Sequence, residues 1–235
     1  MNDIISKNVT VVLVHGAWAD GSSWRKVIEL LQQDGIPVVA VQNPTTSLAD
    51  DDASSRHAID AVEGTVVLVG HSWGGAVITE AGNDPKVAAL VYIAALAPSV
   101  GQSAGDQIAA YPVQPLMKGV KPDANGDLVV EVETWINDLA HDIPESDARI
   151  LAAVQTPLRP GAFGDKITHS AWAYKPSWYL ISTEDRGLSV ELQRDASKKI
   201  NATTSEVKAS HLSILSAPQA VTDVIKSAVA FSAAP

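Results

Sequence analysis

Short runs of β-branched residues alternate along the chain with stretches in which apolar residues recur every three or four positions. That is the pattern of parallel strands joined by covering helices. Residues 9–14 predict a first strand. Residues 23–34 predict a helix with Trp24, Val27, Ile28 and Leu31 on one face and Gly35 placed to stop it. A second strand at 36–41 leads past Pro44 to a helix opened by Ser47. The near-continuous apolar run 65–70 suits the buried middle of a parallel sheet, a helix follows at once over 72–82, and 87–94 predict a fourth strand.

The next strand-like run, 177–182, comes about eighty residues later, whereas a βαβ unit needs roughly thirty. An insertion is therefore expected. Within it, residues 129–140 and 142–154 read as helices, the second opened by a capping box of Asp142, Pro144 and Glu145. A helix at 189–200, a strand at 203–208 and a last helix complete the alternation. Ser216-Ala217-Pro218-Gln219 reads as a capping box for that helix, and Val221, Val224, Ile225 and Ala228 form its apolar stripe. The expected fold is α/β, a mostly parallel six-stranded sheet flanked by helices. Residues 1–96 and 176–235 would form the core, and 97–175 a helical cap over the C-terminal edge of the sheet.

Composition narrows the function classes. The 235 residues are 46% hydrophobic and 19% charged, a globular profile, and the net charge of −10 offers no basic footprint for nucleic acid or an anionic membrane. Cysteine is absent, which removes disulfides, thiolate metal sites and cysteine nucleophiles together. Residues 1–7 lack the basic and apolar regions of a secretory leader, and the apolar run 87–97 falls short of the roughly 18 residues of a membrane span. A cytoplasmic protein is expected, with no cofactor, since neither a dinucleotide-binding G-x-G-x-x-G nor a G-x-x-x-x-G-K appears. Asp50, Asp51 and Asp52 read as compensation of a helix dipole on a solvated face rather than a metal site, because no His or further carboxylate joins them at ligand spacing. Oligomeric state cannot be read from the pattern.

The chemistry centres on Gly70-His71-Ser72-Trp73-Gly74, placed where a buried strand ends and a helix begins. This is the context a nucleophile elbow requires, with small residues letting the backbone turn sharply and lift the Ser72 hydroxyl clear of the sheet. A serine needs a base held in reach and oriented by a carboxylate. With the partners in the order serine, acid, histidine, the base falls on His211, in the loop after the last strand, and the acid on Asp185, 26 residues earlier, with Glu184 the runner-up. His15 and His71 suit wall or packing roles, and His57, His141 and His169 read as surface residues. The backbone N–H groups of Ala17 and Trp73 are the candidate oxyanion donors, and Gly16 clears the loop beside the reacting carbonyl. Trp73, Trp135, Leu212 and Tyr111 are candidate pocket walls.

Taken together, His15-Gly16-Ala17-Trp18, Gly70-His71-Ser72-Trp73-Gly74-Gly75, Thr183-Glu184-Asp185-Arg186 and Ser210-His211 resemble the α/β-hydrolase superfamily. Within it they look like the small bacterial hydrolases related to plant methylesterases and hydroxynitrile lyases. The resemblance implies a serine hydrolase acting on a small ester. It also implies a choice, because the lyases of that branch typically carry Thr and Lys where this chain has Gly16 and Leu212. Both departures favour ester hydrolysis over cyanohydrin cleavage. A C–C bond hydrolase, a perhydrolase or a non-catalytic hydrolase-like receptor would keep the same motifs.

Overall fold

The computed structural model describes residues 8–233. Residues 1–7, expected to carry no secretory leader, lie outside the described part. Six strands, β1 (Val9–Val14), β2 (Val38–Ala40), β3 (Thr65–His71), β4 (Val87–Ile93), β7 (Ser177–Ser182) and β8 (Thr203–Val207), form one sheet. Its order is β2-β1-β3-β4-β7-β8, and every pairing is parallel. The two most apolar strands, β3 and β4, stand at the centre. Residues Val66, Val67, Leu68 and Val69 are fully buried, so both faces of the sheet are covered.

Helix α1 (Arg25–Gln33) packs on α9 (Pro218–Ser232), which lies over β3, β4 and β7, while α2 (Leu48–Asp60) packs on α3 (Trp73–Ala81), which lies over β3. Ser47 caps α2 by accepting from the Asp50 N–H, and Ser189 caps α7 (Val190–Lys199) by accepting from Leu192. The second strand is shorter than expected. Residues 37 and 41 still bond to β1, but at the edge of the sheet only Val38–Ala40 hold full pairing.

Residues 97–175 lie between β4 and β7 and hold α4 (Ala104–Ala109), β5 (Val120–Pro122), β6 (Leu128–Val130), α5 (Val132–Thr134) and α6 (Glu145–Ala153). The helix expected over 129–140 is replaced by β6, one turn of α5 and a π-helical turn Trp135–Leu139. Tertiary pairing overrides the helical period there. The β-branched Val129 and Val130 face β5 across a turn closed by the Asp123 carboxylate, and Leu128 exchanges both backbone hydrogen bonds with Leu158. The two capping boxes also fail. Helix α6 starts after Pro144 without a side-chain cap, because the Asp142 carboxylate accepts from the Ser210 N–H instead. Helix α9 starts at Pro218 without one, because Ser216 ends a separate short helix, α8 (Ser213–Ser216).

The insertion is bonded to the loops that leave the C-terminal ends of the strands. Trp18 Nε1 donates to Leu128 O, Thr45 Oγ1 to Pro157 O, Arg186 Nη1 to Asn137 O and Ser210 N to Asp142. Its Leu116, Val130, Trp135, Leu139 and Leu158 join the buried side chains of the sheet in one cluster.

Leu68, fully buried and registered between Val12 and Leu90, tests that core. Leu68→Ala is expected to lower unfolding free energy by about 2–5 kcal/mol in urea titration. Ser205→Ala on the exposed edge strand β8 should stay within about 0.5 kcal/mol of the parent chain.

Candidate active site

Strand β3 ends at His71 and α3 begins at Trp73, leaving Ser72 alone to make the turn, at φ 54° and ψ −121°. A non-glycine residue at positive φ costs about 1–3 kcal/mol, so its surroundings must impose it. They do so through the main chain. Ser72 N donates to Ile93 O at 3.2 Å, and Ser72 O accepts from Gly75 N at 3.0 Å and Leu96 N at 3.1 Å. A β-carbon on Gly70 would collide with the Gly74 carbonyl, and one on Gly74 with that of Val14. Only glycine lets β1, β3 and α3 close this tightly.

The turn aims Ser72 Oγ at His211 Nε2, 2.8 Å away, and His211 Nδ1 lies 2.7 Å from Asp185 Oδ2. Nδ1–H donates to the carboxylate, which leaves the Nε2 lone pair facing the serine hydroxyl. His211 follows β8, and Asp185 sits three residues after the end of β7. Both are buried. The ring is held on several sides. His71 Nε2 donates to the His211 carbonyl at 2.8 Å, and its own ring lies 4.8 Å from that of His211. Burial, and then the neighbouring His211, push the His71 pKa down to about 3, so it stays neutral beside the site. Glu184, the alternative acid, turns outward toward Lys208 at 3.5 Å.

His15 fixes the loop after β1. Its Nε2 accepts from Asn43 N at 2.9 Å, so Nδ1 carries the proton and donates to Gly16 O at 2.8 Å. A β-carbon on Gly16 would lie 2.8 Å from the Ser72 Cβ, too close to be accommodated without movement. The N–H groups of Ala17 and Trp73 have no acceptor among the described residues. Trp18 then takes φ 58°, with its indole anchored on Leu128 O at 2.9 Å.

Ser72 and His211 open on a cavity that is partly exposed to solvent. Trp18, Trp73, Tyr111, Leu116, Met117 and Phe163 supply much of its wall, and among the described residues no carboxylate, lysine or arginine lines it. Trp73 and Tyr111, two of the candidate pocket walls, line this cavity. Trp135 and Leu212 do not. They are buried along a separate narrow crevice with Leu151, where large apolar side chains fill the packing between insertion and core. Gly16 underlies the serine rather than lining the cavity. Phe163 was invisible in the sequence, because its Pro-Gly-rich segment has no periodicity. Trp18 carried a signal in its position directly after the proposed oxyanion donor.

Asp51 corrects the expectation of a solvated acidic face. It is fully buried and accepts from Thr45 N at 2.8 Å and from the Trp73 indole N–H at 2.7 Å. Burial raises its pKa to about 6 against the pull of these two donors. Asp50 is exposed and bonded to Thr46 and Ser47, and Asp52 pairs with Arg56 at 2.8 Å. Among the described residues, no group of three or more His, Asp or Glu is placed to hold a metal ion. Of the remaining histidines, His57 is exposed, His141 is half-buried and His169 pairs with Glu80 at 3.0 Å. No helix among the described residues is long and apolar enough to cross a membrane.

A strand–turn–helix elbow on a parallel sheet, with an insertion over the strand ends, defines a hydrolase fold. The chain belongs to the alpha/beta hydrolase family, whose model matches residues 11–224. A probable hydrolase of Phoma sp. is 26% identical over 238 residues, covering 92% of this chain and 96% of that protein. A putative chloroplastic methylesterase of Arabidopsis thaliana is 31% identical over 140 residues, 53% of this chain and 29% of that protein. Among solved structures, a pyrethroid hydrolase from Sphingobium faniae superposes with a TM-score of 0.78 at 22% identity, covering 97% of this chain and 98% of that one.

The folded pKa of Asp51 stands above the ordinary 3.8. Its contribution to stability is therefore full below that value and is lost as pH rises through about 6. Asp51→Asn leaves one of the two N–H donors without an acceptor and should cost about 1–3 kcal/mol. Denaturant titrations should show that deficit narrowing between about pH 4 and about pH 7.

Proposed function

We propose that this chain is a serine esterase that hydrolyses small carboxylic esters through an acyl-enzyme intermediate on Ser72. The observation that carries the reading is the unbroken relay from Asp185 through His211 to Ser72, with steps of 2.7 Å and 2.8 Å. In this reading His211 Nε2 takes the hydroxyl proton as Ser72 Oγ attacks the ester carbonyl, and Asp185 stabilises the imidazolium that forms. The oxyanion is received by the N–H groups of Ala17 and Trp73. Collapse of the tetrahedral species breaks the C–O bond to the alcohol, which leaves with the proton from His211. Water, deprotonated by the same imidazole, then attacks the acyl-enzyme and releases the acid.

An uncharged, largely apolar cavity suits a neutral ester, because a carboxylate brought into it would lose its hydration without a cationic partner. The names of the relatives, methylesterase and pyrethroid hydrolase, agree with that class. The space beneath Ser72 favours ester cleavage over the lyase reaction. A side chain at position 16 would press on the serine, and Leu212 is packed away from the cavity, so neither position offers a polar group to a cyanohydrin.

Ser72→Ala should leave the circular dichroism spectrum unchanged and lower turnover of p-nitrophenyl esters by at least about a thousandfold. A fluorophosphonate should label Ser72 of the parent chain and leave the variant unlabelled. Unchanged ester turnover in the variant overturns the proposal. Turnover of a β-diketone in the absence of ester hydrolysis would assign C–C bond cleavage instead, and failure to label would assign a receptor.

A further inference from the structure

Asp185 does more than face His211. A carboxylate has about four acceptor positions, and here all four are filled. Oδ1 accepts from the N–H groups of Gly187 at 2.7 Å and Leu188 at 2.8 Å, and Oδ2 from His211 Nδ1 at 2.7 Å and Gln193 Nε2 at 2.8 Å. Two of these donors belong to the loop that carries Asp185, and the third is His211. The fourth, Gln193, is a fully buried side chain reaching in from α7. Its amide has only one workable orientation. Gln193 Oε1 accepts from Ser182 N at 3.0 Å, at the end of β7, and Nε2 also donates to Leu188 O at 3.2 Å. Reversing the amide would set an N–H against the Ser182 N–H and an oxygen against the carboxylate.

We infer that Gln193 is a positioning residue of the relay, locking the Asp185 carboxylate to β7 and α7 and tempering its hold on the His211 imidazolium. The inference rests on the Ser72–His211–Asp185 reading above. Its physical basis is that both donors share one oxygen. The hydrogen bond that Oδ2 accepts from Gln193 lowers the electron density it presents to His211. Without that bond the carboxylate binds the imidazolium more strongly, the imidazole becomes more basic, and a larger share of it is protonated and unable to accept the Ser72 proton. The limb of the kcat/KM profile that rises with pH must then move to higher pH.

Among the described residues, no other ionisable side chain around the pair hydrogen-bonds to the Gln193 amide. His71 packs against the His211 ring, Tyr179 lies near Asp185 with its phenol pushed upward by burial, and Asp142 holds the Ser210 N–H. Glu184 and Arg186 flank Asp185 in its loop, and Glu191, Arg194 and Asp195 flank Gln193 on α7.

The test is the pH dependence of p-nitrophenyl ester hydrolysis in the parent chain, Gln193→Met and Gln193→Leu. Activity and Ser72 labelling of the parent chain, with loss of both in Ser72→Ala, establish the underlying reading before the variants are compared. Gln193→Met removes the donor with little change in volume, and should move the limb upward by about half to one pH unit and lower kcat by about tenfold or more, with KM little changed. Gln193→Leu removes the same donor with a different apolar shape, and should move the limb in the same direction. A role confined to stability would lower the amplitude of the profile without moving its limb. An unmoved limb in whichever variant folds therefore overturns the inference. Failure of both to fold makes Gln193 a scaffold residue and overturns it as well.

Discussion

Around Gly74 three backbones meet with no room for a side chain. A β-carbon on Gly74 in the first turn of α3 would meet the carbonyls of Val14 and His15 at the end of β1, and one on Gly70 in β3 would meet the backbone of Gly74 and Gly75. The contact holds Ser72 at a positive φ that a free chain would avoid, and the hydrogen bonds from Ser72 to Ile93 and Leu96 tie the same turn to β4. The strain at the serine is thus carried by the most deeply buried strands of the molecule. Loosening that contact would release the turn, and with it the alignment of Ser72 Oγ to His211.

The partners of the serine are held by a different device. His211 and Asp185 sit on loops after edge-side strands, where the sheet alone would leave them mobile, and hydrogen bonds from neighbouring elements fix them. Asp142 reaches from the insertion to the Ser210 N–H, His71 to the His211 carbonyl, and Gln193 from α7 to the Asp185 carboxylate. Asp51 does the same for Trp73, whose indole walls the cavity while its main chain opens α3. His71, Gln193 and Asp51 are buried with their partners, and Asp142 is exposed. The precision of the site is carried by fixed hydrogen bonds more than by shape.

The insertion couples the cavity to this framework. Trp18 is anchored on Leu128, and Phe163 meets both Trp18 and Trp73 edge to face at 6.1 Å and 5.5 Å. The loop that carries Ala17 and the wall of the cavity are therefore braced by residues from the insertion. Its buried side chains belong to the same core as the sheet, so it packs as an extension of that core and not as a free lid.

Much of this was legible in the sequence. Unbroken apolar runs fixed which strands lie centrally, since a strand covered on both faces has no polar positions to show, and the elbow motif marked the serine, since no other residues fit so close a turn. The order of Ser72, Asp185 and His211 followed from the strands they succeed. The insertion was harder, because its elements are set by partners distant in sequence: residues 128–130 pair with 120–122 and 158, and Asp142 is drawn from its own helix to the Ser210 loop. Trp135 and Leu212 were expected to face substrate, yet apolar side chains go wherever the packing closes, which composition cannot reveal. The sequence by itself determined the layered α/β sheet and the residues able to make a nucleophile and its relay. Only the tertiary structure decided which buried polar groups hold that relay, Gln193 and Asp51 among them, because a hydrogen bond between distant elements leaves no periodic trace in the chain.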